Sequence, residues 1–259
     1  MSIGVAVTVP DGIVMATDSR VNINVTLSND NAESKEVKTF QLLHSDQYKK
    51  MFVLRNNIIQ PSNSIAVSFH GNLMPTKIPL GQLIDKFESE FLGTDDTVPV
   101  AAEKLLSYLK PLIGKENTGF LISGYSEVDG FPTPFVYQGR PADDFLEIKN
   151  RDKNDSIQYS ATWVGTTDIM SHLFLDHYMR DSKGNYTLVK KPTVLWPMMP
   201  LQDAVDFAVL SVFVTKEMLR FQTVPKSVGG PVNVIIMLPD GSVDCVEKGE
   251  SNAYPWERE

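Results

Sequence analysis

A serine occupies the second position of the chain, directly after Met1. Initiator methionine is commonly removed when the next residue is small. Removal here would leave a hydroxyl and a free α-amine on Ser2. Such an amine has a pKa of about 7.7–8.0, so near neutrality much of it is an unprotonated base. It can take the proton of its own hydroxyl, directly or through a water, and so generate a nucleophile without a separate histidine. Further on, Thr17-Asp18-Ser19-Arg20 groups a carboxylate, two hydroxyls and a guanidinium.

The segment between these residues positions them. Val5, Val7 and Val9 alternate with smaller residues, the period of a half-buried strand. Pro10-Asp11-Gly12 supplies the turn, and Ile13 to Ala16 return as a second strand. Residues 21–50 are mostly polar, with a loop or hairpin tip near 29–36, and residues 55–64 form a second loop. Lys50 heads the apolar run Met51-Phe52-Val53-Leu54, and the strand Ile65 to Phe69 ends in His70-Gly71-Asn72. Leu80, Leu83, Ile84, Phe87 and Phe91 have helical spacing, as do Ala101, Ala102, Leu105, Leu106 and Leu109 after Val98-Pro99. Gly119 to Tyr125 and Thr133 to Tyr137 flank the turn Asp129-Gly130. Residues 140–158 read as charged and exposed. A helix follows Asp168 with Ile169, Leu173 and Tyr178 on one side, and a long helix runs from Pro200 to Phe221. Two closing strands meet at Pro239-Asp240-Gly241.

Composition excludes several classes. With 259 residues and 42% hydrophobic content, the chain can bury a sizeable core. The single Cys245 cannot form an internal disulfide; it is expected to pack in the last strand and fits a reducing compartment. A net charge of −8 argues against a nucleic-acid partner. No apolar stretch is long enough to span a bilayer, and the N-terminus lacks the pattern of a signal peptide, so a soluble cytoplasmic protein is expected. His172 and His177 lie five apart on the expected helix and share no metal-binding face; no metal and no cofactor are expected.

The opening hairpin resembles the N-terminal nucleophile hydrolases of the proteasome β-subunit type. Counted back from Asp18, the family's nucleophile falls on Ser2 without a gap. The lysine heading an apolar strand, the strand running into a glycine turn and the Gly124-Tyr125 hairpin extend the resemblance to about residue 247. Because the hairpin begins directly after Met1, the chain is similar to the bacterial proteasome-related, ancestral β-subunit-like proteins. The resemblance implies an α+β, four-layer αββα sandwich of two antiparallel sheets flanked by helices. Residues 1–259 are expected to form a single domain with a polar tail from about 249.

The resemblance also implies roles. Ser2 is the nucleophile. Asp18 and Lys50 lie beneath it, the carboxylate holding the ammonium and the ammonium favouring the deprotonated hydroxyl and amine. Lys50 is preferred to Lys35 and Lys38 because it heads an apolar strand, while Lys35 sits among polar residues; Lys49 is expected to face the other way. The Gly71 amide is the oxyanion donor, with His70 lining the pocket. Thr166 matches a serine that orients the amine, and it could also cap a helix. Arg20 is expected to support the hairpin or to pair with a carboxylate. The family's C-terminal Asp and Ser positions fall on Pro225 and Val228; Pro225 has no carboxylate, and Ser227, one residue away, substitutes for the serine.

The implied function is a serine/threonine-type peptidase or amide hydrolase acting on peptide or protein substrates through an acyl-enzyme. A non-catalytic ring subunit and a peptide-transferring enzyme are the alternatives; hydrolysis and transfer need the same intermediate. Self-association into a ring or open ring is expected through apolar faces of the helices, Leu80 to Leu109 on one side and Ala204 to Met218 on the other. The sequence does not identify an unfoldase partner.

Overall fold

The computed structural model describes residues 2–29, 36–54, 64–73, 78–191, 193–223 and 226–248. The first two strands are β1 (Ile3–Val9) and β2 (Gly12–Asp18), every residue of which is buried. They pair from Gly4 opposite Thr17 to Val9 opposite Gly12. Burial on both faces explains their near-continuous apolar sequence: each packs against helices on one side and a second sheet on the other.

The chain continues through the hairpin β3 (Val21–Asn29) and β4 (Glu36–Ser45), then β5 (Met51–Leu54) and β6 (Ile65–Gly71). Helices α1 (Leu80–Glu90) and α2 (Val98–Ile113) follow. The first turn of α2 is held from outside, Ser126 Oγ accepting the Val98 N–H at 2.8 Å. Strands β7 (Thr118–Val128), β8 (Phe131–Arg140), β9 (Phe145–Ile148) and β10 (Ser160–Gly165) lead to the short helix α3 (Asp168–Phe174). A small hairpin, β11 (His177–Arg180) and β12 (Tyr186–Val189), precedes α4 (Leu201–Arg220), and β13 (Val232–Met237) and β14 (Val243–Lys248) close the fold.

Two five-stranded antiparallel sheets result, ordered β10-β1-β2-β13-β14 and β5-β6-β7-β8-β9. Three apolar clusters place the layers. Phe52, Val67, Phe69 and Ile122 pack under α1 and α2. Val5, Val7, Val14 and Val234 pack under α4. Ala6, Met15, Met51, Leu121 and Ile235 lie between the sheets. The αββα sandwich expected from the sequence is the observed architecture.

Several local expectations change. The stripes Leu80, Leu83, Ile84, Leu105 and Leu109, together with Ala204, Ala208 and Val212, are buried in this chain's own core, so most of the helices' apolar surface is covered from within. Residues 140–158 are not simply exposed. They contain β9, and buried Asn150 anchors them by accepting the Val136 N–H and donating to the Pro134 carbonyl. The helix after Asp168 ends at Phe174, and Tyr178 belongs to a strand because Asp181 organises a turn, its Oδ1 accepting the N–H groups of Lys183 and Asn185. Cys245 is exposed on the edge strand β14 instead of packed. The loop 55–63, Lys35, Pro225 and the tail from 249 lie outside the described residues, as does the side chain of Lys38.

Candidate active site

Where β1 begins and β2 ends, Ser2, Asp18 and Lys50 meet with their side chains removed from solvent, at 1%, 0% and 0% exposure. Lys50 Nζ donates to Ser2 Oγ at 2.9 Å and to Asp18 Oδ1 at 2.9 Å. Lys50 is brought there because it precedes β5, whose register on β6 is fixed by Met51 opposite Ser68, and because its carbonyl accepts the Phe69 N–H at 2.9 Å. The side chain of Lys49 instead emerges toward solvent and β14.

Asp18 is held by four donors from four parts of the chain. Its Oδ1 accepts from Lys50 Nζ and from the Ile3 N–H at 3.2 Å. Its Oδ2 accepts from the Gly229 N–H at 3.0 Å and the Arg20 N–H at 3.2 Å. A buried carboxylate is tolerated only when so satisfied. Burial pushes the pKa of Lys50 down, and the adjacent Asp18 carboxylate acts in the opposite direction by charge and hydrogen bond. The bond from Ile3 fixes the backbone next to Ser2. Thr17 Oγ1 adds a second tie, donating to the Ile3 carbonyl at 2.8 Å.

The Ser2 carbonyl accepts the Thr166 N–H at 2.8 Å. The chain can pass that close because Gly165, opposite Ile3, has φ +82°, and any Cβ there would run into the Ser2 carbonyl. The same hypothetical Cβ would lie 3.4 Å from His70 Cβ, which puts the end of β6 beside this turn. Gly71 follows with φ +89°, and a Cβ on it would collide with the Asn117 carbonyl. Thr166 Oγ1, Ser227 Oγ and His70 Nε2 are buried without a hydrogen-bond partner among the described residues. Burial, helped by the Arg140 charge, pushes the pKa of His70 from 6.5 to about 4, so the ring is neutral near pH 7. Thr167, not Thr166, stands at the N-cap position of α3, and neither makes a side-chain cap bond.

Arg20 turns away from Ser2 and forms a two-point pair with Asp46, Nε to Oδ1 at 2.6 Å and Nη2 to Oδ2 at 2.8 Å. That pairing holds Asp46 below the usual carboxylate range. Sequence reading did not find Asp46 or the Gly229 amide. The Gly229-Gly230 pair ahead of Pro231 was the available signal, since backbone that must approach a side chain closely favours glycine. Among the described residues no cluster of His, Cys, Asp and Glu could hold a metal ion; His172 and His177 stack with ring centroids 6.2 Å apart, His172 on α3 and His177 on β11.

No protein-family model matches the chain, and no curated protein matches it. Solved structures do. An Anbu mutant from Hyphomicrobium sp. strain MC1 is similar at a TM-score of 0.59 and 18% identity, covering 97% of this chain and 88% of that one. Anbu (ancestral beta-subunit) from Yersinia bercovieri is similar at a TM-score of 0.60 and 17% identity, covering 97% and 89%. At these identities the likeness is one of architecture, and the chain has a proteasome-related fold.

Proposed function

We propose that this chain is a proteasome-like N-terminal nucleophile hydrolase that cleaves peptide bonds through an acyl-enzyme on Ser2. One observation carries the reading: the buried Lys50 ammonium bridges Ser2 Oγ and Asp18 Oδ1 at 2.9 Å each. An ammonium donating to a hydroxyl oxygen stabilises negative charge on that oxygen and leaves the hydroxyl proton free to depart elsewhere.

The reaction needs Ser2 to be the first residue, so whatever precedes it must be removed. The freed amine takes the hydroxyl proton and Oγ attacks the substrate carbonyl carbon. The resulting oxyanion is stabilised by the Gly71 N–H. The protonated α-amine of Ser2 then gives its proton to the leaving amine as the C–N bond breaks, which leaves an ester on Ser2. Water, deprotonated by the same amine, attacks that ester; the acyl C–Oγ bond breaks, the amine's proton passes to Ser2 Oγ, and the acid is released. Lys50 touches the reacting oxygen throughout. Asp18 positions Lys50, and the Thr166 and Ser227 hydroxyls orient the amine. Transfer to an amine acceptor would use the same ester.

A β-lactone or a peptide epoxyketone tests this. Intact mass should show a chain starting at Ser2 and one adduct on it, absent in Ser2→Ala. Full retention of the residues ahead of Ser2, or an adduct that persists in Ser2→Ala, would refute the proposal.

A further inference from the structure

Along one side of the sandwich, the two sheets do not close on each other. Their shared core reaches Met51 on β5 and Ile235 on β13. Beyond these, the positions facing across the gap are small or polar. Cys245 pairs with Ile235 across the ladder and therefore shares its face, and Asn233 lies two residues along β13 on that same face. Neither fills the space that a larger apolar side chain would occupy. The remaining cavity has a volume of about 450 Å³ and is also bounded by Ser19 and Lys49. That is within the roughly 300–1,000 Å³ of small-ligand sites.

The lining is apolar at its floor, and Lys49 is the charged residue among those that form it. The Lys49 ammonium stands 4.9 Å from the Phe52 ring centroid. It also acts on the thiol: burial pushes the Cys245 pKa up and the Lys49 charge pulls it down. The ammonium and the thiol thus face one opening. Ser2 does not line the cleft, so its occupancy is separate from the chemistry proposed above.

We propose that this cleft binds a small amphipathic carboxylate, its anionic head on Lys49 and the Asn233 amide and its hydrocarbon body over Met51 and Ile235. The charge of the rim selects an anion, and the apolar floor rejects a fully hydrated one.

Cys245 is the chain's single cysteine and therefore reports on the cleft. Alkylation by iodoacetamide is followed by intact mass with and without 3-phenylpropionate, and each rate is compared with that of the same protein alone. Ligands of this size bind in about the millimolar range, so at ~10 mM the carboxylate should slow alkylation several-fold. The isosteric 3-phenylpropanamide should not, and protection should be lost in Lys49→Gln and retained in Lys49→Arg. Absence of slowing, equal slowing by the amide, or slowing that survives in Lys49→Gln would overturn the assignment.

Discussion

Lys50→Met removes the ammonium from between Ser2 and Asp18 while keeping the length of the side chain. Both of its partners are buried, and its contacts are 2.9 Å each. Deleting one member of a buried pair costs about 3–5 kcal/mol, because the other charge is left uncompensated. Asp18 keeps three backbone donors, from Ile3, Arg20 and Gly229. The loss should therefore lie near the lower figure, about 3 kcal/mol, within the 5–15 kcal/mol that a domain commonly has. In urea, a slope of about 3 kcal/mol per molar turns that into a midpoint lower by ~1 M. The kinetic effect is separate. An ammonium poised on the attacking oxygen resembles an oxyanion donor, whose removal costs about 10²–10³ in rate. The assay is pseudo-first-order labelling of Ser2 by a β-lactone, at a temperature where circular dichroism shows the variant folded. Lys35→Ala, Lys38→Ala and Lys49→Ala should label at the wild-type rate. A folded Lys50→Met protein that labels as fast as wild type would refute the role given to the ammonium.

Three further outcomes are expected. Gly71→Ala forces a side chain into positive φ against the Asn117 carbonyl, and should lose roughly 1–3 kcal/mol from backbone strain alone, read by thermal unfolding. His70 is neutral in the folded chain down to about pH 4 but titrates near 6.5 when unfolded. Below pH 6.5 the unfolded chain takes up a proton that the folded one refuses, so stability falls as pH drops toward 4, by at most about 3 kcal/mol. His70→Gln should flatten the urea midpoint between pH 6.5 and 4; an unchanged slope would exonerate the imidazole. Finally, we expect a homo-oligomer that covers the hairpin side chains Tyr178 and Tyr186, exposed at 69% and 68%. Light scattering at micromolar concentration should show more than a monomer, and a Tyr178→Lys, Tyr186→Lys double variant should dissociate it.

The parts of this structure that are legible in the sequence share a physical cause: short-range periodicity tied to burial. β1 and β2 are read from their alternating valines and the Pro10-Asp11-Gly12 turn, and α2 and α4 from three- and four-residue apolar spacing. The position of Lys50 at the head of β5 is readable through the resemblance, whose lysine likewise precedes an apolar strand. The hairpin β11–β12 is not readable, because Tyr178 falls in with Ile169 and Leu173 as one side of a helix and the turn depends on the Asp181 side chain. Nor is β9, a four-residue strand set among charged residues whose pairing with β8 no local pattern reports. Cys245 misleads because its strand alternates like a buried one, yet lies at the edge over a cleft. Asp46 and Gly229 reach the site through contacts 26 and 211 positions away, which no local pattern reports.

The four donors on Asp18 also set the order in which this site can form. One comes from β1, one from the residues after β2, one from the start of β5, and one from the segment just ahead of β13. The contacts from Lys50 and Gly229, 32 and 211 positions away, form late, after the loops between them have closed. A chain emerging from the ribosome therefore carries its serine and lysine long before the carboxylate that holds the lysine is itself fully held. The last clasp comes only when the strand containing Asn233 slides in beside Thr17. A half-made copy has the parts of the site without its alignment, and the reactivity proposed above would arrive only with the completed sheet.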